Sequence, residues 1–272
     1  MVKQLKQIEQ EIAKLEQKIV NLAEELRGIY SSYIALLGES LQRQLVLASY
    51  QVCTQAYPEA FLGLSVEQRQ SLQQSIQKIT QKNKANLISL QESPSQSSIS
   101  SEEQDDESDD IENDIEQVSL QRLLPDQLVL WSAFLEKGII ELLKETSQET
   151  NRLLLEKGIL QKNIPTKVLE AAVEAEEVNA PGSGPPNIIN LLVEVETEES
   201  EIEGIPTPIT AINLRLSEIE FAHPPLNNER NNIRNLNAKL KKIRKEYKKK
   251  QQLKAIAEAE SAWRSSWFEG SS

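Results

Sequence analysis

The sequence predicts an all-α protein. Its N- and C-terminal helices pair as an antiparallel coiled-coil stalk, a loose helical head lies between them, and acidic disordered linkers separate the parts. Three observations predict this. Leu5, Ile8, Ile12, Leu15, Ile19, Leu22, Leu26, Ile29, Tyr33 and Leu36 recur at alternating steps of three and four, the a/d pattern by which one helix packs into the grooves of another. Ile233, Leu236, Leu240, Ile243 and Tyr247 repeat the pattern near the far end. Aromatics make up only 4% of the residues and glycines number 9, a composition of long helices rather than of an α/β enzyme with its many glycine-bearing turns.

Residues 1–57 read as the N-terminal coiled-coil helix, with Gly28 and Gly38 as its weak points. Beyond Leu36 the apolar stripe widens through Leu37, Leu41, Leu45, Leu47, Ala48 and Val52, as expected where a helix enters a small bundle. Pro58 forces a break. Ser65-Val-Glu-Gln68 has capping-box form and opens the short head helix assigned to residues 58–90, with Leu72, Ile76 and Ile79 at helical spacing. Residues 91–118 carry no Lys or Arg and a dense acidic run from Glu102 to Asp110. A segment that repels itself and has little to bury is expected to be a disordered linker.

The rest of the head is assigned to residues 119–179. Pro125 suits the first turn of a helix, and Leu128, Trp131, Leu135, Ile139 and Leu142 give that helix a strongly apolar face, continuing through Leu153, Leu154 and Ile159. Leu135-Glu-Lys-Gly-Ile-Ile140 is echoed by Leu155-Glu-Lys-Gly-Ile-Leu160, too little to establish a repeat architecture. Pro165 starts a short helix with Val168, Leu169 and Ala172. Residues 180–208 read as a Pro/Gly and acidic linker. Within it Ile188 to Val195 is an apolar run that periodicity does not assign. In the C-terminal part, residues 209–272, Ile209, Ile212, Leu216 and Ile219 suggest a short helix ending before Pro224 and Pro225. A basic helix then runs from about Asn227 to Phe268.

One antiparallel register stacks Leu26 on Leu236, Leu22 on Leu240, Ile19 on Ile243, Leu15 on Tyr247 and Ile29 on Ile233. It also sets Glu25 near Lys239, Lys18 near Glu246 and Glu16 near Arg244, all complementary, whereas a slip of one heptad brings like charges together. Each such exposed pair contributes only ~0.3–0.5 kcal/mol, so the pairs select register while the apolar layers supply stability. Past Tyr247 the seam positions become Lys250 and Lys254, so the outer stalk is expected to be looser. A domain-swapped homodimer would use the same contacts.

The chemistry-bearing residues are few. His223 is the single histidine and Cys53 the single cysteine. Together they offer no Cys/His metal set, no internal disulfide and no triad beyond one built on His223, which reads as an exposed turn histidine. No phosphate-binding glycine loop occurs. No catalytic, cofactor-binding or metal-binding residue is assigned, and an enzyme is not expected. The lone cysteine, the absence of a signal-peptide core and the absence of an uninterrupted apolar run set a cytoplasmic expectation. The net charge of −12 argues against non-specific nucleic-acid binding by the whole chain.

Two features point to partners. Lys241, Lys242, Lys245, Lys248 and Lys249 belong to a basic run relieved only by Glu246. Such a run is either the solvated outside of a coiled coil or a surface for an acidic protein, an anionic membrane or phosphates. Trp263, Trp267 and Phe268 lie at the end of the same helix, where tryptophans four residues apart share a face and act as groove anchors. These eight residues are the expected partner-binding set. The leading expectation is a non-catalytic coiled-coil adaptor or scaffold with a protein partner on the tail. A peripheral membrane-surface protein is second and a nucleic-acid-associated factor third, since only Tyr247 could stack on bases in the basic span.

The wording of Tyr30-Ser-Ser-Tyr33, Cys53-Thr-Gln-Ala-Tyr-Pro-Glu-Ala60 and Ala259-Glu-Ser-Ala-Trp-Arg-Ser-Ser-Trp-Phe268 resembles uncharacterised helical coiled-coil proteins of cyanobacteria. The resemblance covers the two ends of the chain and implies no activity.

Overall fold

The computed structural model describes residues 2–92, 124–160, 185–194 and 206–268. Its helices are α1 (Val2–Gln51), a π-helical turn (Val52–Ala56), α2 (Pro58–Gly63), α3 (Val66–Glu92), α4 (Pro125–Glu156), α5 (Leu216–Phe221) and α6 (Pro224–Phe268). Strands β1 (Ile188–Glu194) and β2 (Pro206–Ile212) form a two-stranded antiparallel sheet. Among the described residues the fold is all-α apart from this small sheet. Gln91 and Glu92, expected to open the acidic linker at 91–118, are the last residues of α3; the rest of that linker, the helix after Pro165 and most of the 180–208 linker fall outside the described residues.

The chain divides into two compact units. The first takes residues 1–32, 93–135 and 229–272. In it α1 buries Ile12, Leu15, Ile19, Leu22 and Leu26, α6 buries Ile233, Leu236 and Leu240, and the start of α4 buries Leu128, Trp131 and Leu135. Tyr30 meets Trp131 edge-to-face, with ring centroids 5.2 Å apart. Burial fades outward, and Leu5, Ile8, Ile243 and Tyr247 are only half-buried. Tyr247 Oη donates to Glu16 Oε1 at 3.3 Å, Lys250 pairs with Glu11, and Lys254 lies 3.8 Å from Glu9. As numbers rise along α6 they fall along α1, so these contacts run antiparallel. Each falls within one residue of the register set out above.

The flanking trio is not the one expected. Arg244 pairs with Asp126 rather than Glu16, and Lys248 shares that carboxylate at 3.4 Å. Glu25, Lys239, Lys18 and Glu246 stay exposed. The first turn of α4 offers Arg244 a carboxylate that a two-helix picture does not contain. The heptad seam also ends sooner than its pattern suggests. Ile29 and Leu36 are half-buried and Leu47 is exposed, whereas Tyr30, Tyr33, Leu37, Leu41, Leu45, Ala48 and Val52 are buried. Beyond Leu26 the buried positions thus follow the 3.6-residue period of an α-helix more closely than a strict 3.5-residue seam.

The second unit takes residues 33–92 and 136–228. Neither glycine in α1 breaks the helix. A Cβ on Gly38 would lie 3.1 Å from Lys84 Cγ, so this glycine gives α3 room. Pro58 cannot continue α1 because it lacks the N–H and its ring would strike the preceding turn. The chain answers with a wider turn in which Tyr57 N–H reaches Val52 O at 3.0 Å, after which Pro58 opens α2. The capping box at Ser65 forms in both directions: Ser65 N–H donates to Gln68 Oε1 at 2.8 Å, and Gln68 N–H to Ser65 Oγ at 3.2 Å.

The helix expected from Ile209 and Ile212 is a strand instead. The ladder closes with Asn213 N–H donating to Asn187 O, so the even-numbered residues of β2 turn their backbone groups away from β1. Pro206 and Pro208 sit at those outward positions, where a missing N–H costs the ladder nothing. Side chains seal what remains of that edge. Thr210 N–H donates to Tyr57 Oη at 2.9 Å. Asn151 exchanges two bonds with the Ile212 backbone at 2.8 and 2.9 Å, and Leu214 N–H donates to Ser147 Oγ at 2.9 Å. The apolar run after Pro186 supplies the other strand.

Candidate functional site

The candidate site is the outward face of α6. Its orientation follows from the contacts with α1: Tyr247, Lys250 and Lys254 fix the side turned toward that helix. At about 100° per residue, Trp263 stands half a turn round from Lys254, with Trp267 some 40° further on. Lys245 likewise stands on the far side from Tyr247. The basic run and the tryptophans therefore share one face along roughly 40 Å of helix, at ~1.5 Å per residue. Leu253 and Ile256 join it. Leu253, Ile256, Glu260, Trp263 and Trp267 repeat at steps of three and four, a second seam that begins where the first ends.

Trp263 and Trp267 are each 67% exposed. Their ring centroids lie 5.8 Å apart at an interplanar angle of 47°. Leu253 and Ile256 are exposed as well. Ser265 and Ser266 turn their hydroxyls onto the helix carbonyls of Ser261 and Trp263, at 3.0 and 2.8 Å. With about 250 Å² per tryptophan, the indole pair alone leaves roughly 300 Å² exposed, within the range of the largest apolar patch on a typical monomer. Phe268 closes α6, and its side chain lies outside what is described.

Lys241, Lys242, Lys245 and Lys249 are exposed and make no ion pair among the described residues, while Lys248 is held near Asp126. On the opposite side, Lys250 hydrogen-bonds the Glu11 carboxylate and holds it below its usual pKa. Two lysines at seam positions are thus used by pairing with α1, and the lysines on the outward face are left for something else.

No protein-family model, curated protein or solved structure matches the chain. What the site can do follows from its own residues. Among the described residues no three His, Cys, Asp or Glu side chains converge as a metal site, and no helix is long and apolar enough to cross a membrane. His223 is half-buried rather than exposed. Its Nδ1 lies 3.0 Å from Ser40 Oγ, but Ser40 is buried and no carboxylate side chain bonds the imidazole among the described residues. This contact joins α1 to the loop between α5 and α6 within the second unit.

Sequence pattern did not signal a concave feature in that unit. A cleft of about 240 Å³ lies where the end of α1, the π-helical turn, α2 and α3 meet, lined chiefly by Val46, Tyr50, Cys53, Phe61, Leu72 and Ile76. Burial pushes the Cys53 thiol up to about 11, so it stays protonated and unreactive near neutrality. The only hint in the chain was Pro58, which forces α1 to end in a widened turn at this point.

Proposed function

We propose that this protein is a non-catalytic helical adaptor that docks a protein partner on the outward face of α6. The observation that carries the reading is the exposed second seam, Leu253, Ile256, Trp263 and Trp267, standing on the same face as Lys241, Lys242, Lys245 and Lys249. Exposed tryptophans four residues apart are anchors for an apolar groove or a partner helix. The neighbouring lysines favour an acidic rim on that partner and speed encounter. The seam between α1 and α6 serves as the coiled-coil stalk that holds this face out, and the single, buried Cys53 suits the reducing cytoplasm.

Affinity capture from cytosol with the full chain, compared with Trp263→Ala/Trp267→Ala, tests the reading. The expected result is one or more proteins retained by the parent and lost by the variant, with an unchanged circular-dichroism spectrum. Each anchor removed is expected to weaken binding by about 2 kcal/mol or more, roughly thirty-fold. Identical retention by both proteins would refute it.

One observation favours a second reading, a protein held at an anionic membrane surface: the same face of α6 carries a run of lysines followed by exposed tryptophans, groups suited to lipid phosphates and to the headgroup boundary. Flotation with phosphatidylserine vesicles and with neutral vesicles separates the two. The adaptor reading expects the protein to stay with neither. A nucleic-acid role draws less support, because the lysine-bearing span offers no exposed aromatic for base stacking.

A further inference from the structure

We propose that the cleft at the end of α1 binds a small, neutral, apolar molecule bearing one hydroxyl group, with Ser49 as its polar contact. The cleft measures about 240 Å³. At an interior packing density of about 0.75, that space holds roughly 180 Å³ of molecule, equivalent to two fused rings or a chain of about ten carbons. A dry cavity of roughly 150 Å³ already admits benzene.

The lining sets the chemistry. Val46, Tyr50, Phe61, Leu72 and Ile76 present apolar surface, and Cys53 adds a buried sulfur. No described lining residue is charged. The nearby Arg69 guanidinium lies 5.4 Å over the Phe61 ring and donates to the Phe61 and Leu62 carbonyls at 3.1 and 2.6 Å. A carboxylate ligand would therefore find no charged partner in the lining itself, whereas a neutral one needs none.

Ser49 is the second, independent observation. It lines the cleft, is only 4% exposed, and its Oγ has no hydrogen-bond partner in the protein. Other buried helix hydroxyls satisfy themselves by bonding the carbonyl four residues back: Thr146 to Leu142, Ser147 to Leu143 and Thr150 to Thr146, at 2.6 to 2.8 Å. Ser49 does not. A buried hydroxyl left unpaired is unfavourable, and a single bond from a ligand hydroxyl relieves it. Thr54 is already committed to Tyr50 O at 2.8 Å, so Ser49 is the buried lining hydroxyl with bonding capacity to spare, while the lining amides Gln73 and Gln77 lie at exposed positions.

The test uses the full chain and three probes of one size: 2-naphthol, naphthalene and 2-naphthoate, titrated by fluorescence and by thermal melting. Expected are saturable 2-naphthol binding with a raised melting temperature, weaker naphthalene binding, and none of 2-naphthoate. Ser49→Ala should lower 2-naphthol affinity about five-fold, the loss of one hydrogen bond, and leave naphthalene unchanged. Gln73→Trp places bulk at the lining from an exposed helix position and should abolish binding of both while the protein melts as before. The proposal is overturned if 2-naphthol does not bind, if Gln73→Trp binds it unchanged, or if Ser49→Ala affects both neutral probes alike. It is also overturned if the peptide 250–268 displaces 2-naphthol at lower concentration than 2-naphthol itself binds, which would make the cleft a peptide groove.

Discussion

Leu-Glu-Lys-Gly-Ile occurs twice in and just beyond α4, and its two glycines should respond to alanine in opposite ways. In the second copy Gly158 adopts φ 74°. Gly158 N–H donates to Leu155 O at 3.0 Å and Ile159 N–H to Leu154 O at 2.9 Å, the paired bonds of a Schellman cap. A Cβ there costs about 1–2 kcal/mol in left-handed strain, and restricting the unfolded chain recovers ~0.4–1 kcal/mol. Gly158→Ala should therefore destabilise by about 1 kcal/mol, lowering the melting temperature by ~2–4 °C. In the first copy Gly138 is mid-helix, where alanine gains about 1 kcal/mol of helix propensity. Its Cβ would lie 3.0 Å from Leu90 Cδ2, so the end of a flexible side chain must move aside. Gly138→Ala should come out within ~0.5 kcal/mol of the parent, and in a Leu90→Ala background the same change should recover the full ~1 kcal/mol. Urea unfolding followed by far-ultraviolet circular dichroism reads both through the midpoint at constant slope. Equal effects at the two glycines, or a stabilising Gly158→Ala, would refute the reasoning.

Asn151→Leu strips two bonds from the buried Ile212 backbone and should destabilise the second unit by roughly 2–5 kcal/mol, with faster amide exchange at Ile212 as the specific sign. Cys53, its thiol raised to about 11 by burial, should resist iodoacetamide at about pH 8 in the native state and react in urea. Because the folded protein favours the protonated thiol, this contribution is present below the unfolded value of 9.0 and lost as pH rises toward 11. The Glu11 carboxylate shifts the other way, lowered by Lys250. Its contribution is present above the ordinary value of 4.5 and lost as pH falls through the lowered folded value. Amide protection factors around residues 8–15, corrected for the intrinsic pH dependence of exchange, should fall on acidification, and Lys250→Gln should already show the lower protection at neutral pH.

How far the sequence reaches depends on whether a residue's neighbours are near in the chain. The heptad seam of residues 5–26, the matching seam of α6, the capping box at Ser65 and the break at Pro58 were all legible, because each rests on spacing or on a partner within a few residues. So was the exposure of Trp263 and Trp267, which the first seam leaves uncovered. Their sharing a face with Leu253, Ile256 and the lysines was implicit in the numbering, but it needed the contacts to Glu9, Glu11 and Glu16 to fix which way α6 is turned.

Tertiary structure decided the rest. Ile209 and Ile212 sit at helical spacing, yet they lie in a strand because Ile188 to Glu194 pairs with them and Asn151, Ser147 and Tyr57 take up the outer edge. Arg244 leaves Glu16 for Asp126 because a third helix brings a carboxylate within reach. The cleft beside Ser49 exists only where four elements fail to close completely. The two copies of Leu-Glu-Lys-Gly-Ile show the division most plainly. Both permit a helix or its end, since glycine tolerates either backbone, and local energies differ by only about 1 kcal/mol. One stays helical, with Leu135, Ile139, Leu142 and Leu143 buried on either side of Gly138. The other ends α4 in a cap that turns Ile159 and Leu160 into buried positions. Local pattern determined which structures each segment could adopt. Long-range burial selected among them, because seating one leucine or isoleucine in a core is worth about 1.5–3 kcal/mol, more than the local preferences it overrides.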